Sequence, residues 1–163
     1  MEKKNLKIDN TNPKKIAILS YEKFSNKLLK IAKSLRNDLI ISKIHSEQEL
    51  NNLLLNQDYD LLISFGSSII VSKKILEIKG LKSVNIHAAS PKYPGRDPHH
   101  FAVYDNVKKY GATMHFMINK VDEGGIIDVD FFSVKPSVKP NELLIKANDS
   151  GLKLFIKLLK NFD

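Results

Sequence analysis

Short apolar runs alternate with amphipathic segments along nearly the whole chain, and this alternation is the strongest constraint on the fold. The apolar runs predict six buried strands, at 15–20, 39–42, 60–65, 83–87, 113–118 and 126–134. Apolar residues at helical spacing predict helices at 26–35, from Ser46, at 71–78, at 99–106 and after Pro140. Strands joined by helices indicate right-handed crossovers. The predicted fold is therefore α/β, with one Rossmann-like, mostly parallel, twisted sheet and helices on both faces.

The composition excludes several classes of protein. Of the 163 residues, 42% are hydrophobic, which is too many for a wholly disordered chain. No apolar stretch approaches the roughly 18 residues that a membrane span needs. The chain contains no cysteine, which excludes disulfides and a thiolate nucleophile. We expect a cytoplasmic protein with a polar N-terminal tail at 1–13 and a single domain at 14–163.

The net charge of +8 raises the question of an anionic partner. Only Arg36 and Arg96 are arginine among the 26 basic residues, and the lysines are scattered along the chain. Arginine is the residue that reads phosphates and bases with a bidentate fork, so its scarcity disfavours a nucleic-acid partner. A generic solvated surface explains most of the charge, and an anionic ligand remains the alternative.

Two polar residues lie at the carboxyl end of a predicted strand, where the ligand crevice of a parallel sheet is found. Asn85 and His87 are two residues apart, so their side chains leave the same face of the strand. An amide can donate to a developing oxyanion while an imidazole takes a proton from an attacking amine. Asp122, in a loop with two glycines, is the candidate carboxylate to orient the imidazole. A single histidine at a strand end is more often structural, so this pattern alone does not decide.

The remaining histidines do not indicate a metal site. His99 and His100 are adjacent, and adjacent side chains on a helix diverge. No acidic cluster accompanies them, so the number of ligands is too small for a metal ion. We therefore expect no metal.

Four short motifs occur in order between Val84 and Val134. They are Asn85-Ile86-His87, then Pro91-Lys92-Tyr93-Pro94-Gly95, then Gly111-Ala112-Thr113-Met114-His115, and Asp122-Glu123-Gly124-Gly125-Ile126. This stretch resembles the catalytic half of the folate-dependent formyltransferases, which include glycinamide ribonucleotide, methionyl-tRNA and sugar N-formyltransferases. The seven-residue step from His115 to Asp122 also resembles the family pattern.

The resemblance implies a one-carbon reaction and assigns roles to particular residues. It implies N10-formyltetrahydrofolate as the formyl donor and co-substrate. It implies that Asn85 stabilises the oxyanion, that His87 assists proton transfer, and that Asp122 holds His87 and the substrate in register. It further implies a folate pocket and an acceptor-binding set. The pocket residues would be Ser68, Ile69, Ile70, Val71, Ile118 and Val121, and the acceptor residues Tyr93, Gly95, Arg96, Thr113 and His115. Ordinary core is the alternative for Ile69 to Val71.

The chain departs from the family pattern at three places. The loop between His87 and Pro91 is one residue short, the N-terminal half is one β-α unit short, and 21–25 contain no glycine for holding a phosphate. The last departure weakens the glycinamide ribonucleotide formyltransferase interpretation, which stays as an alternative enzyme. Arg96-Asp97-Pro98 resembles the sugar N-formyltransferases, so we expect a nucleotide-linked amino sugar as the small amine acceptor.

A second class of function remains open. The two shortened segments favour a relative that binds folate or a nucleotide without catalysis, or that acts as a partner subunit. The apolar surface that a missing unit would leave exposed favours a homodimer.

Overall fold

The computed structural model describes residues 13–162 and contains every strand and helix that the sequence predicts. In chain order these elements are β1 (Lys15–Leu19), α1 (Glu22–Leu35), β2 (Ile40–Ile44), α2 (Glu47–Asn56), β3 (Leu61–Phe65), α3 (Lys73–Leu76), β4 (Lys82–His87), α4 (Pro98–Tyr104), β5 (Lys109–Phe116), β6 (Ile126–Ser133) and α5 (Pro140–Lys160). The predicted α/β fold is confirmed. Of the predicted polar tail at 1–13, only Pro13 belongs to the described residues.

The predicted boundaries differ from the observed ones at two elements. α1 begins at Glu22 and not at Asn26, and β5 runs from Lys109 to Phe116 and not from 113 to 118. The first half of β5 contains Gly111. Glycine has no side chain and is uncommon inside strands, so the sequence pattern does not predict a strand there. The pairing of β5 with β6 explains why a glycine occurs in this strand. Gly111 lies opposite Phe131 of β6, and a Cβ at Gly111 would be 2.1 Å from the Asp130 carbonyl oxygen.

The six strands form one mixed sheet in the order β2-β1-β3-β4-β5-β6. The first four strands are parallel, as expected, whereas β5 is antiparallel to both β4 and β6. The loop between β5 and β6, at 117–125, contains no helix and is too short for the crossover that a parallel pair requires. β2 is the edge strand in the half of the chain for which the sequence predicts a missing β-α unit, so such a unit would lie away from β3, β4 and β5.

The core has a layer on each face of the sheet, and the alternation of side chains along β1 shows how the layers are built. Ile16 and Ile18 belong to the cluster beneath α1 and α5, while Ala17 and Leu19 belong to the cluster beneath α2. All four are fully buried, which is typical of strands covered on both faces. None of the helices within 13–162 has the length and apolar content that a membrane span requires.

Helix α5 packs unusually close to the centre of the sheet at Gly151. A Cβ at this position would lie 2.5 Å from Cζ of Phe65 on β3 and 3.2 Å from Cγ2 of Ile86 on β4. The hydrogen of glycine therefore permits a contact that no other side chain allows. Ile86 lies between Asn85 and His87, so this contact supports the strand that carries both residues.

We expect Gly151→Ala to lower the free energy of unfolding by about 1–3 kcal/mol, because the overpacking cost exceeds the roughly 1 kcal/mol gain in helix propensity. Asp149→Ala is the matched control, since Asp149 is exposed on the same helix, and its effect should stay within about 0.5 kcal/mol. Urea denaturation followed by circular dichroism measures both. A Gly151→Ala protein as stable as the parent would contradict the close packing.

Candidate active site

The carboxyl end of β4 and the end of β5 bring an amide and two imidazoles together. Asn85 on β4 pairs with His115 on β5, and His87 pairs with Thr113. Residues that are directly opposite in an antiparallel pair share a face of the sheet. Asn85, His87 and His115 therefore lie side by side, which agrees with the same-face prediction for Asn85 and His87.

Asp122 reaches this group from the loop between β5 and β6. Its Oδ1 accepts a hydrogen bond from Asn85 Nδ2 at 3.0 Å, and its Oδ2 lies 3.6 Å from His87 Nδ1. The backbone N–H of Gly95 donates to Oδ2 at 3.0 Å. Asn85 and His87, both proposed as catalytic from the sequence, thus lie beside the third proposed residue, Asp122, although 37 residues separate Asn85 from Asp122.

The path of this loop depends on its backbone. Asp122 has a φ of 57°, in the left-handed region that aspartate tolerates better than most residues. A Cβ at Gly124 would lie only 1.8 Å from the Phe116 carbonyl oxygen, so a glycine is required where the loop folds back against β5.

His87 is oriented by the loop that follows β4. Its Nε2 lies 2.9 Å from the carbonyl oxygen of Tyr93, which can only accept, so Nε2 carries a hydrogen. Nδ1 is therefore the nitrogen that remains to take up a proton, and it faces Asp122. The shorter loop after His87 does not remove His87 from the reach of Asp122.

His115 has a ring nitrogen with two alternative partners. Nδ1 donates to the Phe116 carbonyl oxygen at 2.9 Å, which leaves Nε2 at 3.1 Å from Asn85 Nδ2 and 3.3 Å from Asp122 Oδ1. A neutral His115 accepts from Asn85, whereas a protonated one donates to Asp122. Burial alone would lower the pKa of His115, but the hydrogen bonds with Asp122 and Phe116 and the charge of Asp122 raise it overall.

Asp122 is held in its ionised form. Burial acts to raise its pKa, but the hydrogen bond from His115, the charge of His87 and the N–H of Gly95 together lower the pKa below the ordinary value of 3.8. The ionised carboxylate stabilises a proton on the neighbouring imidazole of His115. The group can thus combine amide donation, proton uptake and charge stabilisation.

A cleft of about 940 Å³ contains this group. One part, which we call the apolar rim, consists of 67–71 and 117–121, and it includes all six residues proposed for the folate pocket: Ser68, Ile69, Ile70, Val71, Ile118 and Val121. Ile70 is 64% exposed, so it is not ordinary core. Ile69 and Val71 are half-buried and also pack on the cluster beneath α2. The rim offers apolar surface to a flat ring.

A second part of the cleft, which we call the polar wall, was largely missed by sequence reasoning. It consists of Tyr21, Arg96, Asp97, His99 and Asn148. Only Arg96 was proposed as a substrate residue, and His99 was considered only as a metal ligand. Tyr21 and Asn148 belong to no motif, and no local pattern places α1 and α5 beside the same cleft.

The structure divides the five residues proposed to bind the acceptor. Gly95, Arg96 and His115 line the cleft, whereas Tyr93 and Thr113 do not. The Tyr93 hydroxyl donates to Asp105 at 2.6 Å, and the Thr113 hydroxyl donates to the Ala89 carbonyl oxygen at 2.7 Å. Both side chains therefore hold the segment after β4. Thr113 also lines an adjoining cavity of about 360 Å³, which shares His87, His115 and Asp122 with the cleft.

Within 13–162 no group of three or more histidine or acidic residues is arranged to hold a metal ion. The rings of His99 and His100 are 4.6 Å apart, but no carboxylate completes a site with them.

Comparison with known proteins finds similarity in sequence. The family described as Formyl transferase matches residues 8–159. Methionyl-tRNA formyltransferase of Hydrogenobaculum sp. (strain Y04AAS1) is 33% identical over 123 residues, which are 75% of this chain and 41% of the relative. That of Clostridium tetani (strain Massachusetts / E88) is 31% identical over 120 residues, 72% of this chain and 38% of the relative. The chain spans about two-fifths of the length of the curated relatives it matches.

Solved structures show the same fold. A 4-N formyltransferase from Francisella tularensis has a TM-score of 0.79 at 21% identity, covering 93% of this chain and 69% of that one. A phosphoribosylglycinamide formyltransferase from Anaplasma phagocytophilum has a TM-score of 0.73 at 19% identity, covering 91% and 86%. The formyltransferase PseJ from Anoxybacillus kamchatkensis, solved with UDP-4,6-dideoxy-4-formamido-L-AltNAc and tetrahydrofolate, has a TM-score of 0.71 at 20% identity, covering 88% and 74%.

The ionised Asp122 makes a pH-dependent contribution to stability. Its folded pKa is below 3.8, so the contribution is present above that value and is lost as the pH falls through the folded pKa. We expect Asp122→Asn to lower the free energy of unfolding by about 2 kcal/mol at pH 7, through weakened charge-assisted hydrogen bonds. The difference from the parent should shrink when the pH falls below 3.8.

Urea denaturation between pH 7 and pH 3 measures this difference. Glu123→Gln removes an exposed carboxylate from the next position and should change stability by less than about 0.5 kcal/mol. A difference between the parent and Asp122→Asn that stays constant over this range would show that the charge of Asp122 does not stabilise the fold.

Proposed function

The chain belongs to the formyl transferase family, and we propose that it transfers a formyl group from N10-formyltetrahydrofolate to the amine of a small acceptor. The observation that carries this proposal is that Asn85 and His87 both lie against Asp122 at the wall of a cleft of about 940 Å³. An amide, an imidazole and a carboxylate in contact are the groups that acyl transfer to an amine requires. The absence of cysteine suits the cytoplasm, which we propose as the location.

The apolar rim fits the folate. Ile70, Ile118 and Val121 are exposed and face a cleft, which is unfavourable unless a ligand covers them. A pterin is flat, and its polar edge would find backbone groups in the same two loop segments. A structural neighbour solved with tetrahydrofolate supports this assignment of the ligand class.

When bound, N10-formyltetrahydrofolate supplies an activated formyl group. Asn85 would donate to the formyl oxygen the N–H that a neutral His115 accepts, and this N–H becomes free when His115 is protonated and donates to Asp122. His87 would hold the proton that the attacking amine loses, at Nδ1, because Nε2 is occupied by the Tyr93 carbonyl oxygen. Asp122 would stabilise that imidazolium and hold the Asn85 amide, to which it is already bonded.

A nucleotide-linked amino sugar is the acceptor we favour. Arg96 and Asp97 line the cleft, and the structural neighbours include a 4-N formyltransferase and PseJ with its UDP-sugar. In the loop after β1 the N–H groups of Ser20 and Tyr21 are not available to a phosphate, since they donate to the carbonyl oxygens of Ile44 and Gly66. This disfavours glycinamide ribonucleotide, the alternative acceptor. The contact of His87 with Asp122 argues against a relative that only binds ligands.

We expect His87→Ala and Asp122→Asn each to lower kcat at least about 100-fold, because each removes a group needed for the proton or for its charge. Tetrahydrofolate release from N10-formyltetrahydrofolate, followed by absorbance with a panel of amino sugars, glycinamide ribonucleotide and methionyl-tRNA, is the measurement. His100→Ala is the matched control and should keep the parent rate, since His100 is exposed and does not line the cleft. Near-parent rates in both site variants would remove this mechanism.

A further inference from the structure

One cleft residue has a buried nitrogen that makes no hydrogen bond with any residue within 13–162. His99 is only 8% exposed and lines the cleft from α4, and its Nδ1 is enclosed without a hydrogen-bond partner. Within the described part of the chain, two other buried side-chain atoms lack a hydrogen-bond partner, the hydroxyl oxygens of Ser83 and Tyr110. Neither of these residues lines the cleft. His99 takes no part in the proton transfer assigned to His87.

The environment of Nδ1 determines what His99 presents to the cleft. An N–H enclosed without an acceptor is strongly unfavourable, so the ring hydrogen resides on Nε2, the nitrogen that remains accessible. Burial and, to a smaller extent, the charge of His100 lower the pKa of His99, and they outweigh the charge of Asp97, which acts to raise it. His99 is therefore a neutral imidazole that offers one N–H donor.

The neighbouring residues of the polar wall match a neutral ligand. Tyr21 is 59% exposed and lines the cleft, so an aromatic side chain is available to a ligand there. Asn148 lines it from α5 and makes no side-chain hydrogen bond within the described residues, so its amide offers both donors and an acceptor. Glu22 adds a negative charge in the first turn of α1, next to Tyr21, which opposes an anion there.

We propose that His99, Asn148 and Tyr21 form the subsite that selects the acceptor, and that this subsite takes the uncharged, hydroxylated ring of an amino sugar. Sugar hydroxyls accept from the Nε2–H of His99 and exchange hydrogen bonds with the Asn148 amide, while the C–H face of the ring packs on Tyr21. Arg96 is the cation of the polar wall and would meet the phosphates of the nucleotide, whereas His99, Asn148 and Tyr21 carry no charge and suit the sugar ring. The inference rests on the proposed formyl transfer and names the substrate class of the same site.

The kinetic test compares two replacements of His99 in the full chain. Leucine removes the N–H donor, whereas glutamine places an amide N–H near the position of Nε2. With a UDP-linked 4-amino-4,6-dideoxyhexose as acceptor, we expect His99→Leu to raise the acceptor KM about tenfold or more and to leave the donor KM unchanged. His99→Gln should restore the acceptor KM to within about threefold of the parent, and His100→Leu should not change it.

An equal rise in donor and acceptor KM, or a glutamine variant as impaired as the leucine variant, would overturn the proposal. A loss of thermal stability does not produce this pattern, because a smaller fraction of folded enzyme lowers the apparent kcat and leaves both KM values unchanged. Side-chain nitrogen-15 NMR is a second readout, in which His99 should be protonated at Nε2 and its signal should shift when the sugar is added. Protonation at Nδ1 would also overturn the proposal.

Calorimetric binding separates this inference from the proposed function. The UDP-linked aminohexose is titrated into parent and His99→Leu proteins that are saturated with 5-formyltetrahydrofolate, which carries no formyl group at N10. Binding to the parent that weakens about tenfold in the variant supports the subsite even if no amine is formylated. No binding to the parent, together with turnover of glycinamide ribonucleotide or methionyl-tRNA, overturns the subsite and leaves formyl transfer standing.

Discussion

The site depends on one buried carboxylate that binds several donors at once. Asp122 accepts hydrogen bonds from the Asn85 amide and the Gly95 N–H, and it lies within 3.6 Å of His87. These groups come from β4, from the loop after β4 and from the loop after β5. A negative charge in a partly buried position is tolerated only when such donors surround it. The carboxylate therefore holds together segments that the sheet alone does not join.

The same interaction links the fold to the chemistry. The antiparallel pairing of β5 with β4 places His115 opposite Asn85, and the close approach of Gly124 to Phe116 returns the loop over both strands. His115 can accept from Asn85 or donate to Asp122, so protonation of this one imidazole changes the bonds that the Asn85 amide makes. The amide and the carboxylate are thus coupled before any substrate binds.

The sequence was sufficient to predict the elements of the fold and the central group of the site. Asn85 and His87 are two apart on a strand, and Asp122 occurs in an ordered motif, so their convergence could be proposed from local patterns. The hydroxyls of Tyr93 and Thr113 were expected to meet substrate, but they bond to Asp105 and Ala89. Hydrogen-bond partners of this kind depend on how distant segments pack, which no local pattern encodes.

The residues of the polar wall could not be predicted from local sequence patterns either. Tyr21, His99 and Asn148 belong to three different helices or their ends, and only the packing of α1, α4 and α5 around the sheet brings them to one cleft. The unpartnered Nδ1 of His99 is visible only once its surroundings are known. The family pattern thus identifies the reaction centre, whereas features outside the motifs carry the acceptor selectivity proposed for this chain.

The most direct test of the account is a carbon-13 NMR titration of the Asp122 carboxyl in the intact protein, assigned with the Asp122→Asn variant. An ionised carboxylate stabilised by His115, His87 and Gly95 should titrate below 3.8. A midpoint at or above 3.8 would mean that these groups do not hold the charge, and the proposed roles of Asn85 and His87 would lose their physical basis.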